Sequence, residues 1–358
     1  MAACQGLRIR ARHGGSPLNP AIAESSTTAP HAPAPSAPAG AAEAVDTDVA
    51  GTPSAPQRWH EDVPAGFGQR SLSVFIVLVP PLLLATALML GVARPRPVDL
   101  VMLVVGFILT GLGITVGFHR YFTHRSFDTS RPMAYLFGVL GAMAWQGPAL
   151  EWAETHRRHH RHSDLPDDPH SPHLDGDGVK GLLKGALFAH QGWMFMVNIR
   201  GRDMARYAPD LRADPVVISV SRFAYPWAIA GLLIPGGIAW LVEPTWTSVW
   251  LGILWGGLLR AFAVNHVTWC INSVCHLWGS RDYRTSDHSR NVPILGVLGL
   301  GEGWHNNHHA FPSSARLGLR WWQFDPGWVA IRTLQMLGAV WNVRVPGRER
   351  QSAKASAA

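Results

Sequence analysis

The chain has 358 residues, of which 47% are hydrophobic and only 15% are charged, an apolar composition for a soluble protein. Its three cysteines exclude a disulfide framework, and they form no Cys-x-x-Cys metal pair. The net charge of +7 comes largely from arginines, many of them beside apolar segments, a pattern more typical of membrane topology than of nucleic-acid binding.

Two polar ends flank an apolar middle. Residues 1–66 are rich in Ala, Pro, Ser and Thr and lack apolar periodicity, so they cannot bury enough surface to offset the entropy of ordering. Residues 346–358 are again small and polar. We therefore predict two disordered tails around one membrane domain at residues 67–345.

Four apolar segments of the middle are long enough to cross about 30 Å of hydrocarbon. They are residues 71–93, 98–118, 223–242 and 247–268. Pro80 and Pro81 predict a kink in the first segment. Residues 133–150 are apolar but short and contain three glycines, which favours a re-entrant or interfacial helix. Residues 185–199 have the amphipathic pattern of a helix at the membrane surface.

Histidines cluster after the second and the fourth of these segments. The clusters are His119 and His124; His156, His159 and His160; and His305, His308 and His309, with His276 between the last two. Residues three and four apart share a helix face, so each triplet is predicted to converge. His119 and His124 lie five apart, roughly 140° around an ideal helix, and can serve one site only across a helix end or between two ions.

The two places where the histidines lie are separated by an even number of crossings, which predicts one shared side of the membrane. Arginines are frequent on that side, and the opposite loop at Glu243 has none, although Arg94 and Arg96 weaken the bias. The positive-inside rule therefore predicts a cell-membrane protein whose site and both termini are cytoplasmic.

Nine imidazoles exceed the needs of one four-coordinate zinc site and favour two iron ions, each with four or five imidazoles and room for O₂. Metal-bound histidine usually donates its second ring N–H to a carboxylate or carbonyl. The carboxylates near the clusters are Glu151, Glu154, Asp164, Asp167, Asp168 and Glu302. We expect the remaining histidines of this region around the ligands or at the surface, namely His162, His170, His173 and His190.

Six segments together resemble the membrane fatty-acid desaturases, and within them the Δ9 acyl-CoA (stearoyl-CoA-type) desaturases, in a bacterial form without a fused cytochrome b5. They are GFHRYFTHRSF, EWAETHRRHHRHSD, DDPHSP, FAHQGWMF, INSVCH and GEGWHNNHHAFP. The resemblance implies an all-α membrane protein, with four transmembrane helices and a cytosolic helical cap that holds a histidine-ligated dinuclear metal site. It also implies O₂-dependent introduction of a cis double bond, at Δ9, into a long-chain saturated acyl-CoA by a diiron centre and two external electrons.

The resemblance also assigns roles by position, and it implies no catalytic side chain beyond the metal centre. The implied ligands are His119, His124, His156, His159, His160, His276, His305, His308 and His309. Asn272 would reach one iron through a water molecule. Gln146, Trp152 and Thr268 would shape the bend of the acyl channel, and Trp269 would lie near the thioester.

One departure from the family concerns the acyl carrier. Glu154 and Thr155 stand where the animal enzymes have an Arg-Asp pair that helps bind the CoA head group. An acyl-lipid or acyl-carrier-protein substrate therefore stays open. With no fused haem domain expected, the electrons should come from a ferredoxin- or rubredoxin-type donor with an NAD(P)H reductase.

Three alternatives remain at this point. A fatty-acyl or alkane hydroxylase would use the same ligands, and the mass of the product would distinguish it. A non-enzymatic membrane metal-binding protein would need polar groups within the spans to form a pathway, and these spans contain almost none. A structural zinc protein is disfavoured by the number of histidines.

Overall fold

The computed structural model describes residues 65–198 and 202–356, so the predicted N-terminal tail lies outside the described residues except for its last two. Within these ranges four helices are long and apolar enough to cross a membrane. They are Phe67–Met89, Pro97–Thr123, Ala224–Val242 and Trp246–Leu277. The predicted class, an all-α membrane protein with four such helices and histidine clusters suited to a metal site, is confirmed.

The first two helices are joined by a short loop. α1 spans Phe67–Met89 and includes Pro80 and Pro81, so the prolines expected to kink the first span do not end its helix. α2 spans Pro97–Leu112 and continues as a π-helix over Gly113–Thr123. The helix therefore extends beyond the predicted span and carries His119.

A small cluster of charges closes the opposite end of the bundle, where α9 (Ala224–Val242) turns into α10 (Trp246–Gly252). Arg96 precedes α2 and contacts Asp99 at 2.8 Å and Glu243 at 2.9 Å. Because two carboxylates face this guanidinium, Arg96 adds little net positive charge to a side where the sequence had suggested an exception to the charge bias.

The fourth span contains a buried arginine that the sequence analysis did not single out. α10 continues as a π-helix over Ile253–Leu259 and then as α11, Arg260–Leu277. Arg260 donates hydrogen bonds to the carbonyl oxygens of Met143 (2.7 Å) and Gly231 (2.8 Å). Met143 ends the short helix α3, Arg131–Ala142. The arginine thus satisfies a helix end within the apolar bundle, where no water is available for it.

The remaining helices lie between and after the spans. They are α4 Ala149–His162, α5 Gly178–Leu187, a π-helix Phe188–Gly192, α6 Trp193–Met196, a 3₁₀-helix Arg202–Tyr207, α7 Pro209–Arg212, α8 Pro215–Arg222, α12 Pro293–Leu298, α13 His305–Ala310, α14 Pro326–Met336 and α15 Arg348–Lys354. Two short strands, β1 Asp128–Thr129 and β2 Val340–Trp341, pair antiparallel, with Asp128 opposite Trp341. This pairing ties the loop after His124 to the C-terminal region.

The C-terminal residues differ from the predicted disordered tail. α15 is followed by a bridge between Tyr283 and Ala355, and the backbone N–H of Ser356 donates to the carbonyl oxygen of Asp282 at 3.0 Å. Lys354 Nζ donates to the Ala310 carbonyl at 2.8 Å. The segment is held by backbone and side-chain hydrogen bonds to distant residues, which composition does not reveal, so residues 348–354 form a helix where a disordered tail is predicted.

One apolar core positions the first two histidine clusters. Phe118 and Phe122 on the π-helix pack with Ala153 of α4, Leu211 of α7 and Val217 of α8, and all five side chains are buried. Burial of such side chains is the main force that holds α4 beside the end of α2. The core therefore brings the histidines of these two helices together.

Candidate metal centre

Nine histidines converge in two groups whose candidate ligand atoms lie within 4.8 Å of one another in each group. The five-histidine group contains His119, His124, His156, His160 and His308, and the four-histidine group contains His159, His276, His305 and His309. These are the nine positions that the sequence analysis singled out. Their role as metal ligands stays a prediction, since proximity alone does not show a bound ion.

Each predicted triplet is divided between the groups, which corrects the expectation that it converges on one point. On α4, His156 and His160 belong to the five-histidine group and His159 to the other. α13 shows the reverse division, with His305 and His309 together and His308 apart. Residues four apart point in nearly the same direction, whereas the third histidine lies on the flank of that face. Both helices therefore bridge the two groups.

The first pair meets through a local change of helix type. The N–H of His124 donates to the carbonyl oxygen of His119 at 3.1 Å, which is the i→i+5 bond of a π-helix. The ring centroids of the two histidines lie 4.9 Å apart. His124 also caps the helix end, so the expectation of one site across a helix end agrees with the geometry, and a position between two ions does not.

Four of the nine rings direct Nδ1 toward a carboxylate. The contacts are His119 to Glu302 (2.7 Å), His159 to Asp168 (3.0 Å), His276 to Asp164 (2.9 Å) and His309 to Asp287 (2.6 Å). A carboxylate at Nδ1 fixes the proton there and leaves the Nε2 lone pair free to bind a metal. These contacts define the tautomer that a metal ligand needs.

The distance between facing ring nitrogens shows whether a metal ion would fit between them. His159 and His309 place their Nε2 atoms 3.3 Å apart, although both rings give their Nδ1 protons to carboxylates. Two bare lone pairs at that distance repel each other unless a cation lies between them. Nitrogens that each lie about 2.1 Å from one ion, at a right angle, are roughly 3 Å apart. The donor set therefore fits an imidazole-bound metal.

The protonation states agree with that fit. Burial and neighbouring imidazoles hold the pKa of His156, His160 and His308 well below the ordinary histidine value. Burial alone would raise the pKa of Asp168, but the facing His159 outweighs it and lowers the pKa to about 2. Neutral imidazoles beside ionised carboxylates are the state in which a cation binds.

The carboxylates expected beside the clusters fall into two sets. Asp164, Asp168 and Glu302 contact histidines of the groups, whereas Glu154 is buried and accepts a bond from Arg212 at 2.6 Å. Asp167 lies 3.8 Å from His162, outside both groups. Glu151 lies along the cavity described below.

One functional carboxylate was missed. Asp287, which contacts His309, was not singled out because it lies 22 residues before its partner. No short spacing in the sequence connects them, so only the fold reveals the contact.

The other histidines surround the groups. His170 lies 3.7 Å from Asp168, and His173 is 2.9 Å from the carbonyl oxygen of His276. His190 pairs with His266 at 3.1 Å, farther from the centre. His162 lies near Tyr207, at 3.3 Å from its hydroxyl. These contacts agree with the expectation that they accompany the ligands or lie outside the centre.

A cavity of about 120 Å³ reaches the five-histidine group at His156. Its lining includes all the residues predicted for the acyl channel and for the water-mediated contact: Gln146, Trp152, Thr268, Trp269 and Asn272. Gln146 donates to Thr268 at 2.8 Å, and Trp152 Nε1 donates to Gln146 at 3.0 Å. This chain of bonds fixes three polar side chains in a largely apolar wall.

Thr268 also lines a second, smaller cavity of about 20 Å³. That cavity is bounded by Phe107, Ile114, Leu300 and Glu302, and Glu302 contacts His119. Thr268 therefore separates the two cavities, and each of them has a largely apolar lining beside the histidines.

Fold and site define a helical membrane protein with two imidazole groups that could hold metal ions, one of them beside a largely apolar cavity. The sequence profile described as "Fatty acid desaturase" matches residues 97–344, and the chain belongs to that family. It is therefore an oxidoreductase of fatty acyl chains.

Three curated relatives show the range of the family. The chain is 39% identical over 259 residues to the hex-5-enoyl-[acyl-carrier protein] acetylenase of Moorena producens (strain JHB), covering 72% of this chain and 80% of that one. It is 39% identical over 251 residues to the sn-1 stearoyl-lipid 9-desaturase of Anabaena variabilis, covering 70% and 85%. It is 36% identical over 268 residues to the icosanoyl-CoA 5-desaturase of Limnanthes douglasii, covering 71% and 68%. Their names give three different acyl carriers.

Proposed function

We propose that the protein, through a desaturase domain at residues 67–345, introduces a cis double bond at Δ9 of a long saturated acyl chain. The reaction uses O₂ and two external electrons at two iron ions, one for each histidine group. The observation that carries this proposal is the cavity that reaches the five-histidine group at His156, with a second, smaller cavity beside Glu302. The name of the Anabaena variabilis relative supports the position of the double bond.

Iron is favoured by the donor set and by the reaction. Imidazole nitrogen suits Zn, Cu, Fe and Ni, and of these zinc has no redox chemistry to offer O₂. Bound iron would supply the O₂ activation that removes two hydrogens from adjacent methylenes. The overall reaction is –CH₂–CH₂– + O₂ + 2e⁻ + 2H⁺ → –CH=CH– + 2H₂O.

The chain's own side chains would orient the histidine rings and position the acyl chain. Asp164, Asp168 and Asp287 accept the Nδ1 protons of their histidines and thereby aim Nε2, while Glu302 lies 2.7 Å from Nδ1 of His119. The bonds from Trp152 to Gln146 and from Gln146 to Thr268 fix the wall at which an acyl chain would bend. Holding two neighbouring carbons at that bend is what would select the bond that is oxidised.

For the acyl carrier we place a membrane glycerolipid ahead of the coenzyme A thioester expected from the sequence. Among the described residues no Lys or Arg lines the main cavity, whereas the phosphates of coenzyme A are usually bound by such cations. Glu154 is engaged by Arg212, and Thr155 donates to the Glu151 carbonyl at 2.8 Å. The lining also includes Leu72 and Ile76 of the membrane helix α1, which favours entry from the bilayer.

We propose that the site and both termini face the cytoplasm. The charge pattern of the sequence supports this orientation, with Arg94 and Arg96 as its exceptions. The electron donor would then be a soluble ferredoxin- or rubredoxin-type protein with its NAD(P)H reductase.

The test is fatty-acid analysis of a desaturase-deficient host that expresses the chain. Gas chromatography–mass spectrometry with derivatised double bonds should show a new cis Δ9 monoene, absent from the His160→Ala variant. A hydroxylated acid instead of the monoene would show that the protein is a hydroxylase and not a desaturase. Iron-loaded protein in nanodiscs is then given stearoyl chains on a phospholipid, on CoA or on acyl carrier protein. Product from CoA alone would restore the thioester as carrier.

A further inference from the structure

A second opening reaches the metal centre from another direction. This cleft of about 360 Å³ is lined by His160 and His309, with Arg284, Asp287 and Lys354 around them. It shares no lining residue with the acyl cavity, which reaches the centre at His156. The centre therefore has two approaches, and the proposed substrate explains only one of them.

The cleft meets the centre where the two histidine groups touch. His160 belongs to the five-histidine group and His309 to the four-histidine group. Their rings stack, with centroids 4.5 Å apart and an angle of 29° between the planes. Anything that docks in the cleft therefore lies against one ligand of each group.

The rim of the cleft is positively charged. Arg284 and Lys354 are exposed, and among the residues that the structure describes neither forms an ion pair. Arg284 Nη2 donates instead to the Ala353 carbonyl at 2.6 Å, and Lys354 Nζ donates to the Ala310 carbonyl. Carbonyl oxygens orient these cations without cancelling their charge. The floor carboxylate, Asp287, is already engaged by His309.

We propose that this cleft is the docking site of an acidic one-electron carrier of the [2Fe–2S] ferredoxin type. The proposal rests on the desaturase function above. Each docked carrier would be oxidised by one electron, two such events serve one double bond, and the two protons come from solvent. An acyl chain in the other cavity covers that approach during the reaction, so electrons need a separate face. Opposite surface charges would steer the carrier to it.

The C-terminal segment builds one wall of this cleft. The backbone N–H of Arg284 donates to the Lys354 carbonyl at 2.8 Å, next to the bridge between Tyr283 and Ala355. These bonds hold Lys354 in the lining of the cleft that also includes the stacked histidines. Residues that composition marks as a loose tail would thus serve to recognise the electron donor.

The experiment uses the iron-loaded full chain in nanodiscs, with a plant-type [2Fe–2S] ferredoxin and its NADPH reductase. Arg284→Glu and Lys354→Glu should each raise the KM for ferredoxin roughly tenfold at low salt, because like charges would now face each other. The difference in KM between these variants and the wild type should shrink at about 0.3 M salt, where exposed charges are screened. Arg332→Glu reverses an equally exposed arginine on α14 and should stay within about twofold of wild type.

Three further measurements distinguish a failure of the docking proposal from a failure of the proposed function. Iron content and dithionite-driven single turnover show whether a variant keeps an intact centre, and Arg284→Gln gives a milder change if the reversal disturbs folding. Equilibrium binding of ferredoxin to the nanodiscs reports docking without turnover. Unchanged binding and KM in both reversal variants would overturn the cleft assignment. A wild type that binds ferredoxin at the cleft but yields no product with dithionite would instead contradict the proposed function.

Discussion

The two histidine groups differ in how the surrounding protein holds their rings. In the four-histidine group, His159, His276 and His309 each direct Nδ1 at a carboxylate. In the five-histidine group only His119 does so, as far as the described chain shows. That group instead adjoins the cavity through His156, which stacks on Trp152 with ring centroids 5.0 Å apart.

The difference predicts distinct roles for the two proposed metal sites. A carboxylate behind an imidazole fixes the orientation of the ring and raises its basicity. We therefore expect the four-histidine group to be the more rigid of the two, whereas the five-histidine group is the one beside the cavity. The stacked pair of His160 and His309 links them.

The largest expected effect is the removal of a ligand from either group. His305→Ala leaves three imidazoles in its group and His124→Ala leaves four, so the former should lose about one of two iron ions and the latter less. Both should abolish desaturation, because the reaction needs both ions and a complete set of ligands at each of them. Iron per protein and product yield are measured together.

The control for this comparison is His162→Ala on α4, whose ring lies near Tyr207 outside both groups. It should keep both iron ions. Retained desaturation in His305→Ala or in His124→Ala would refute the assignment of that group.

An intermediate effect is expected when a carboxylate is replaced by its amide. Asp168→Asn keeps the shape of the group that faces His159 but removes its charge, so iron affinity should fall about 10- to 100-fold. Glu302→Gln makes the same change for His119. Competition with a chelator measures both affinities.

Asp282→Asn is the matched control, since that carboxylate contacts Arg320 and no histidine of the groups. If Asp168→Asn bound iron as tightly as this control, the rigid character of the four-histidine group would have to be abandoned.

The smallest effect concerns the wall beside the five-histidine group. Trp152→Phe keeps a ring on His156 but loses the N–H that donates to Gln146. One neutral hydrogen bond contributes about 1 kcal/mol, so kcat/KM should fall roughly fivefold with iron content unchanged. The double bond should also become less confined to one position, which product analysis detects.

Trp321→Phe changes an almost fully exposed tryptophan and should leave the rate and the double-bond position as they are. A Trp152→Phe enzyme with wild-type rate and position would show that the Gln146 bond does not position the chain.

Much of the architecture could be read from the chain because membranes and metals constrain composition strongly. A span needs about 20 apolar residues, and the four predicted segments agree with the four helices within a few residues at most ends. Helix ends were less predictable: α11 continues to His276 because a helix need not stop where the hydrocarbon does. The buried Arg260 was overlooked, since its partners are carbonyls of distant helices.

The sequence by itself determined the nine histidines, because metal binding requires particular side chains at short spacings. It also determined the four spans and the residues that line the cavity, the latter through the family resemblance. Only the tertiary structure decided which histidine belongs to which group, that Asp287 supports His309, and that α15 borders a second opening. These features depend on contacts between segments far apart in the chain, where direction and distance are set by packing and leave no local pattern to read.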